Sequence, residues 1–172
     1  MKCRRYLKAS IALIIIFITP WNIFSEDLPN QVVEFRSRYS KIYEASRTLG
    51  ALPLMVGSQR EEAALIANIL IKTNRQHLVI DFIRSTDVGL QNLAILMILE
   101  NNLLITPDTS AAIVIFVALD SRPEISLLCS GLVGKLTDTY YNESLLQFGC
   151  RSRSIPCARA FMAHVLPNNR TD

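Results

Sequence analysis

The sequence predicts an all-α protein: a short α-solenoid of stacked antiparallel helix pairs, about eight helices beyond an N-terminal leader. Three observations predict it. Four segments restart the same pattern, beginning at Ser58, Ser85, Ser121 and Ser152, each with a capping residue, a polar turn and an apolar stretch. The starts fall 27, 36 and 31 residues apart, the spacing of one helical pair per repeat. Small residues recur eight or nine positions after each start, at Ala67, Ala94, Ser130 with Gly131, and Ala160. Small side chains there would let successive helices approach closely.

The elements follow in order. Glu26 to Asn30 is a polar lead, with Pro29 suited to a helix start. Gln31 to Leu49 reads as the first helix: Val32, Phe35, Tyr39, Ile42 and Tyr43 share one face, and Gly50 stops it. Leu52 to Gly57 is an apolar connector expected to cover one end of the stack. Ser58 and Glu61 match a capping box, S-x-x-E, before a helix to Lys72, which Thr73-Asn74 ends. Gln76 to Arg84 is a short helix. Ser85 or Asp87 caps the next, which runs to Glu100 and is apolar nearly all round, a sign of burial on several sides. Pro107-Asp108 opens a helix to Leu119. Its run Ile113 to Val117 is β-friendly, but a lone strand among helices would have no ladder partner, so helix is predicted. Ser121 and Glu124 match a second capping box, ahead of a helix to Leu136. Tyr140 to Phe148 is short and stopped by Gly149. Ser154 caps the last helix, to Leu166. Residues 31–167 are thus expected to form one repeat domain, and 168–172 a disordered tail.

The first 25 residues stand apart. Lys2, Arg4, Arg5 and Lys8 precede an apolar core from Ala9 to Ile18, and Ser25 offers a small residue for cleavage. This is the pattern of a secretory signal peptide, and the core is short of the roughly 20 residues that span a bilayer. Export to the periplasm or the cell exterior is the expectation, from a bacterial source, with no stable membrane span after cleavage. The chain has 18 Lys+Arg against 15 Asp+Glu; the leader holds four of the basic residues and no acidic ones, leaving 14 against 15. A net charge of −1 lacks the basic excess that nucleic-acid binding normally requires.

The segment Thr86-Asp87-Val88-Gly89-Leu90-Gln91-Asn92-Leu93-Ala94 is similar to the Asp-x-x-Val-Arg-x-x-Ala core of a HEAT-repeat second helix, without the Arg. Together with the alternation of shorter and longer helices over residues 58–166, the chain resembles HEAT or armadillo-type repeats, at periods shorter than their usual ~40 residues. The resemblance implies a protein-interaction scaffold.

Little in the sequence suggests catalysis. It holds no Gly-rich phosphate loop, nucleophile elbow or H-E-x-x-H, and no cofactor is implied. His77 lies four residues before Asp81, the spacing of a surface ion pair. Beyond the leader there are three cysteines, Cys129, Cys150 and Cys157, which with no nearby histidine do not complete a metal site. Export would permit a disulfide. Cys150 with Cys157, across a helix–turn–helix corner, is the first pairing; Cys129 with Cys157, on adjacent long helices, is the second. Arg151, Arg153 and Arg159 flank the start of the last helix and could hold an anion or an acidic partner segment; the cluster also fits an ordinary solvated corner. Tyr140 and Tyr141 suit a contact rim or the core equally. Asn142-Glu-Ser144 and Asn169-Arg-Thr171 match the N-glycosylation pattern.

The function expected is that of an adaptor or scaffold binding a protein or peptide. The alternative is a structural subunit of an envelope or secretion assembly, an oligomer joined through the solenoid ends by an apolar face on the last helix. An effector, an inhibitor or an enzyme is the third class.

Overall fold

A computed structural model describes residues 28–49, 57–120, 122–140 and 142–165. The leader of residues 1–25, the 50–56 connector, Tyr141 and the 168–172 tail lie outside the described residues. Among the described residues there are eight α-helices and no strand: α1 (Asn30–Thr48), α2 (Gly57–Lys72), α3 (Leu78–Arg84), α4 (Val88–Glu100), α5 (Pro107–Leu119), α6 (Pro123–Thr139), α7 (Glu143–Gly149) and α8 (Ile155–Val165), with a 3-10 turn at Asn102–Leu104. The all-α class is as the periodicity predicts. The β-friendly run Ile113 to Val117 is helical, inside α5.

Local chemistry accounts for most helix ends. Asn74 adopts φ 55°, a left-handed conformation that asparagine tolerates, and closes α2 in a Schellman turn. The Arg75 amide donates to the Leu70 carbonyl at 2.7 Å and the Asn74 amide to Ile71 at 3.0 Å. Asp87 caps α4, its carboxylate accepting from the Leu90 amide at 3.0 Å. Asn142 caps α7, accepting from the Leu145 amide at 3.1 Å. Ser154 stands before α8, its hydroxyl 3.5 Å from the Cys157 amide.

Both S-x-x-E capping boxes need correction. α2 already starts at Gly57, so Ser58 lies inside its first turn. α6 is preceded by Arg122, with no side-chain cap, and Glu124 turns inward, 5% exposed, instead of reaching back. The capping box that does form is Thr106 with Thr109, before α5. A threonine at the third helical position does there what the glutamate of the usual pattern would do.

Two successions of neighbours hold the chain together. α2, α4, α6 and α8 pack one on the next, and so do α3, α5 and α7. Crossing contacts join α3 to α4, α5 to α6 and α7 to α8, while α1 lies on α4. α4 therefore meets neighbours on all sides, and residues 92 to 99 are all buried. This is why its sequence lacks a polar face. Ala67 and Ala94 are fully buried, and the half-buried Ala160 packs on the core. Ser130 and Gly131 differ: both are exposed, so in α6 the inward positions fall to Cys129, Leu132 and Val133.

Candidate functional site

Helices α6, α7 and α8 meet at one corner, and the chain between α7 and α8 is pinned there by the end of α5. The Arg153 amide donates to the Ala118 carbonyl at 3.0 Å, and the Ser152 hydroxyl to the Val117 carbonyl at 3.2 Å. Gly149 ends α7 directly over the Phe161 ring, where a Cβ would lie 2.5 Å from ring atoms. Glycine is required by this approach.

Inside the corner lies a cluster of thiols and hydroxyls. Cys129, in the middle of α6, and Cys157, in the first turn of α8, are 0% and 1% exposed. They lie on directly packed helices, and each thiol bears on the other's titration. The Ser126 and Ser154 hydroxyls are 2.6 Å apart beside them, and the Ser154 hydroxyl stands 3.5 Å from the Cys157 amide. The Cys129 thiol holds the Cys157 thiol below the usual thiol range; burial opposes this, and the nearby Ser154, Ser126 and Ser152 hydroxyls reinforce it. The Cys157 thiol, with burial, pushes Cys129 up. Of the two, Cys157 more readily takes up negative charge.

All three described cysteines are free thiols. Cys150, half-buried at the end of α7, is pushed up chiefly by burial, and neither of the other two cysteines bears on it. The cysteine that bears on Cys157 is Cys129, across the α6–α8 packing. Sequence spacing puts Cys150 first because it is close along the chain; neither pairing is closed in the structure.

The remaining candidates divide. Arg151, Arg153 and Arg159 are exposed around the start of α8, and among the described residues their side chains make no hydrogen bond or ion pair. Tyr140 is half-buried and packed on the core; Tyr141 lies outside the described residues. His164 stands 3.3 Å from the Thr137 hydroxyl through its Nδ1. Asp81 is pushed up by burial, which outweighs the opposing charges of His77 and Arg84. Asn142 spends its side-chain oxygen on the α7 cap.

A second polar cluster, absent from the sequence expectations, joins α1, α4 and α6. Arg36 donates to Asp87 at 2.6 Å. The Gln91 amide nitrogen donates to the Ser85 carbonyl at 2.6 Å, and its oxygen accepts from Arg122 at 2.8 Å. Arg122 also grips Asp120 at 2.8 Å and lies over the Phe116 ring, 5.5 Å from its centre. Deeper in, the Tyr39 hydroxyl, one Glu124 oxygen and both polar atoms of Asn92 are buried with no hydrogen-bond partner among the described residues. Burial pushes the Tyr39 phenol up, and the Glu124 charge adds to this. On the far side of Tyr39, α1 and α2 enclose a groove of about 170 Å³, with Phe35 and Ile42 on one wall, Gln59 on the other, and the Arg38–Glu62 ion pair across it.

No family model, curated protein or solved structure matches this chain. Among the described residues, no group of three His, Cys, Asp or Glu side chains could hold a metal ion, and no helix is long and apolar enough to cross a membrane.

Proposed function

We propose that this chain is an exported helical-repeat interaction module, an adaptor or scaffold whose stacked hairpins form a short solenoid presenting helix faces to a protein or peptide partner. The observation that carries the reading is the double succession of helices. Each is buried against the next while outward side chains on neighbouring elements stay exposed: Ile115 and Leu119 on α5, and Phe148 on α7. Such a row suits an extended partner better than a small substrate. The exposed Arg151, Arg153 and Arg159 beside it favour a partner with acidic segments. Export rests on the leader pattern of the first 25 residues.

Cross-linking the full chain in the envelope fraction of its host tests this. The expected result is a specific protein adduct, lost in a Leu119→Asp/Phe148→Asp variant with an unchanged melting curve and weakened in an Arg151→Glu/Arg153→Glu/Arg159→Glu variant. No adduct, with the isolated protein turning over a small substrate, would overturn it.

A second reading, a subunit of an envelope assembly, is favoured by Ile155 and Met162, 67% and 44% exposed on α8. Phe161, on the same helix, is fully buried against Gly149 and takes no part in that face. Light scattering separates the readings: a concentration-independent monomer sets the assembly aside.

A further inference from the structure

We propose that Cys129 and Cys157 are a redox-active dithiol that closes into a disulfide, locking α8 onto α6. Several features of the corner point there. The two cysteines are buried on directly packed helices, and each lies three residues after one of two serines, Ser126 and Ser154, whose hydroxyls meet at 2.6 Å between α6 and α8. The Ser154 hydroxyl also stands 3.5 Å from the Cys157 amide, and the Ser154 amide donates to Ser152 at 3.2 Å. A hydroxyl-lined setting suits a sulfur that carries negative charge on the way to reaction. Cys150, the nearer cysteine in sequence, stands outside the cluster.

The oxidant is a small-molecule or protein disulfide. Cys157 loses its proton to solvent, and its thiolate attacks one sulfur of the oxidant, breaking that S–S bond and expelling one thiolate. Cys129 then gives up its proton and attacks the Cys157 sulfur of the mixed disulfide, expelling the second thiolate. The protein loses two electrons and two protons; the oxidant becomes two thiols. Because both sulfurs are shielded in the docked state, attack requires α8 to lift or not yet to have docked. α8 packs chiefly on α6 and α7, with a smaller contact to α5, so lifting it leaves the main α1–α4 packing in place. The bridge would then fasten the last described helix against fraying.

The test uses the full chain in buffers of oxidised and reduced glutathione, with alkylation and non-reducing peptide mapping. A Cys129–Cys157 cross-linked peptide is expected, with Cys150 alkylated in full. Oxidation should raise Tm by about 5–10 °C. A Cys150→Ala variant should keep that gain, and a Cys129→Ala variant should lose it. A Cys150–Cys157 bridge, glutathione adducts alone, or three unmodified thiols after unfolding and refolding in oxidised glutathione would each overturn the proposal. The reaction in the test tube does not depend on export, so it can fail or succeed separately from the interaction reading.

Discussion

Arg122 Nη2 donates to Gln91 Oε1 at 2.8 Å, tying the start of α6 to the first turn of α4 across 31 residues of chain. The same guanidinium holds Asp120 at 2.8 Å, with side-chain exposures of only 17% and 12%. One planar group therefore braces its own turn and the neighbouring hairpin. Arg122→Ala should cost about 2–3 kcal/mol in denaturant unfolding, because Asp120 would stay half-buried without its partner. A double-mutant cycle with Gln91→Ala should show a coupling of about 0.5–1.5 kcal/mol.

Asn92 is fully buried, and neither of its side-chain polar atoms has a partner among the described residues. Asn92→Leu has nearly the same shape and removes the desolvation cost. It should stabilise the protein by about 1–2 kcal/mol, read as a higher denaturation midpoint at unchanged slope. A loss of stability would show that Asn92 is satisfied in solution.

Tyr39 gives a pH signature. Its phenol is pushed up by burial, so the folded state holds the proton where the unfolded chain, with an ordinary value near ~10, releases it. The Tyr39 titration therefore costs nothing below about pH 10, and stability falls above it by about 1.4 kcal/mol per pH unit. Tyr39→Phe removes a buried hydroxyl that has no partner among the described residues, so it should raise neutral-pH stability by about 1 kcal/mol and flatten the alkaline loss in pH-dependent urea melts.

Two small residues answer to packing. Gly149→Ala would drive a Cβ into the Phe161 ring, fully buried and unable to swing aside, at a cost of about 1–3 kcal/mol. Ala94→Phe should cost a similar amount (about 1–3 kcal/mol) by overfilling the interior around α4. Thermal melts check both. Gly134→Ala serves as the control, since its Cβ would meet nothing within 4 Å.

Legibility followed the range of the forces. Asn74 as a stop, Asp87 as a cap and the all-round apolar α4 could be read because each depends on a few consecutive residues. The Ser121/Glu124 box was misread for the same reason: the pattern is local, but Glu124 is drawn inward toward Tyr39, a residue 85 positions away. Ser130 and Gly131 were misplaced because a small residue looks alike whether it admits a neighbour or faces water. The α1–α4–α6 polar cluster left no local signal, because Gln91 and Arg122 are 31 positions apart and meet only through the packing of α6 on α4.

The sequence by itself determined the helical class, where most helices begin and end, and which faces are apolar, because turn chemistry and hydrophobic periodicity act within a few residues. The tertiary structure alone decided that Cys157 lies across from Cys129, that Gly149 must yield to Phe161, and that Arg122 reaches Gln91. Those pairings depend on how helices distant along the chain come to lie side by side, and residue order carries no direct record of that distance.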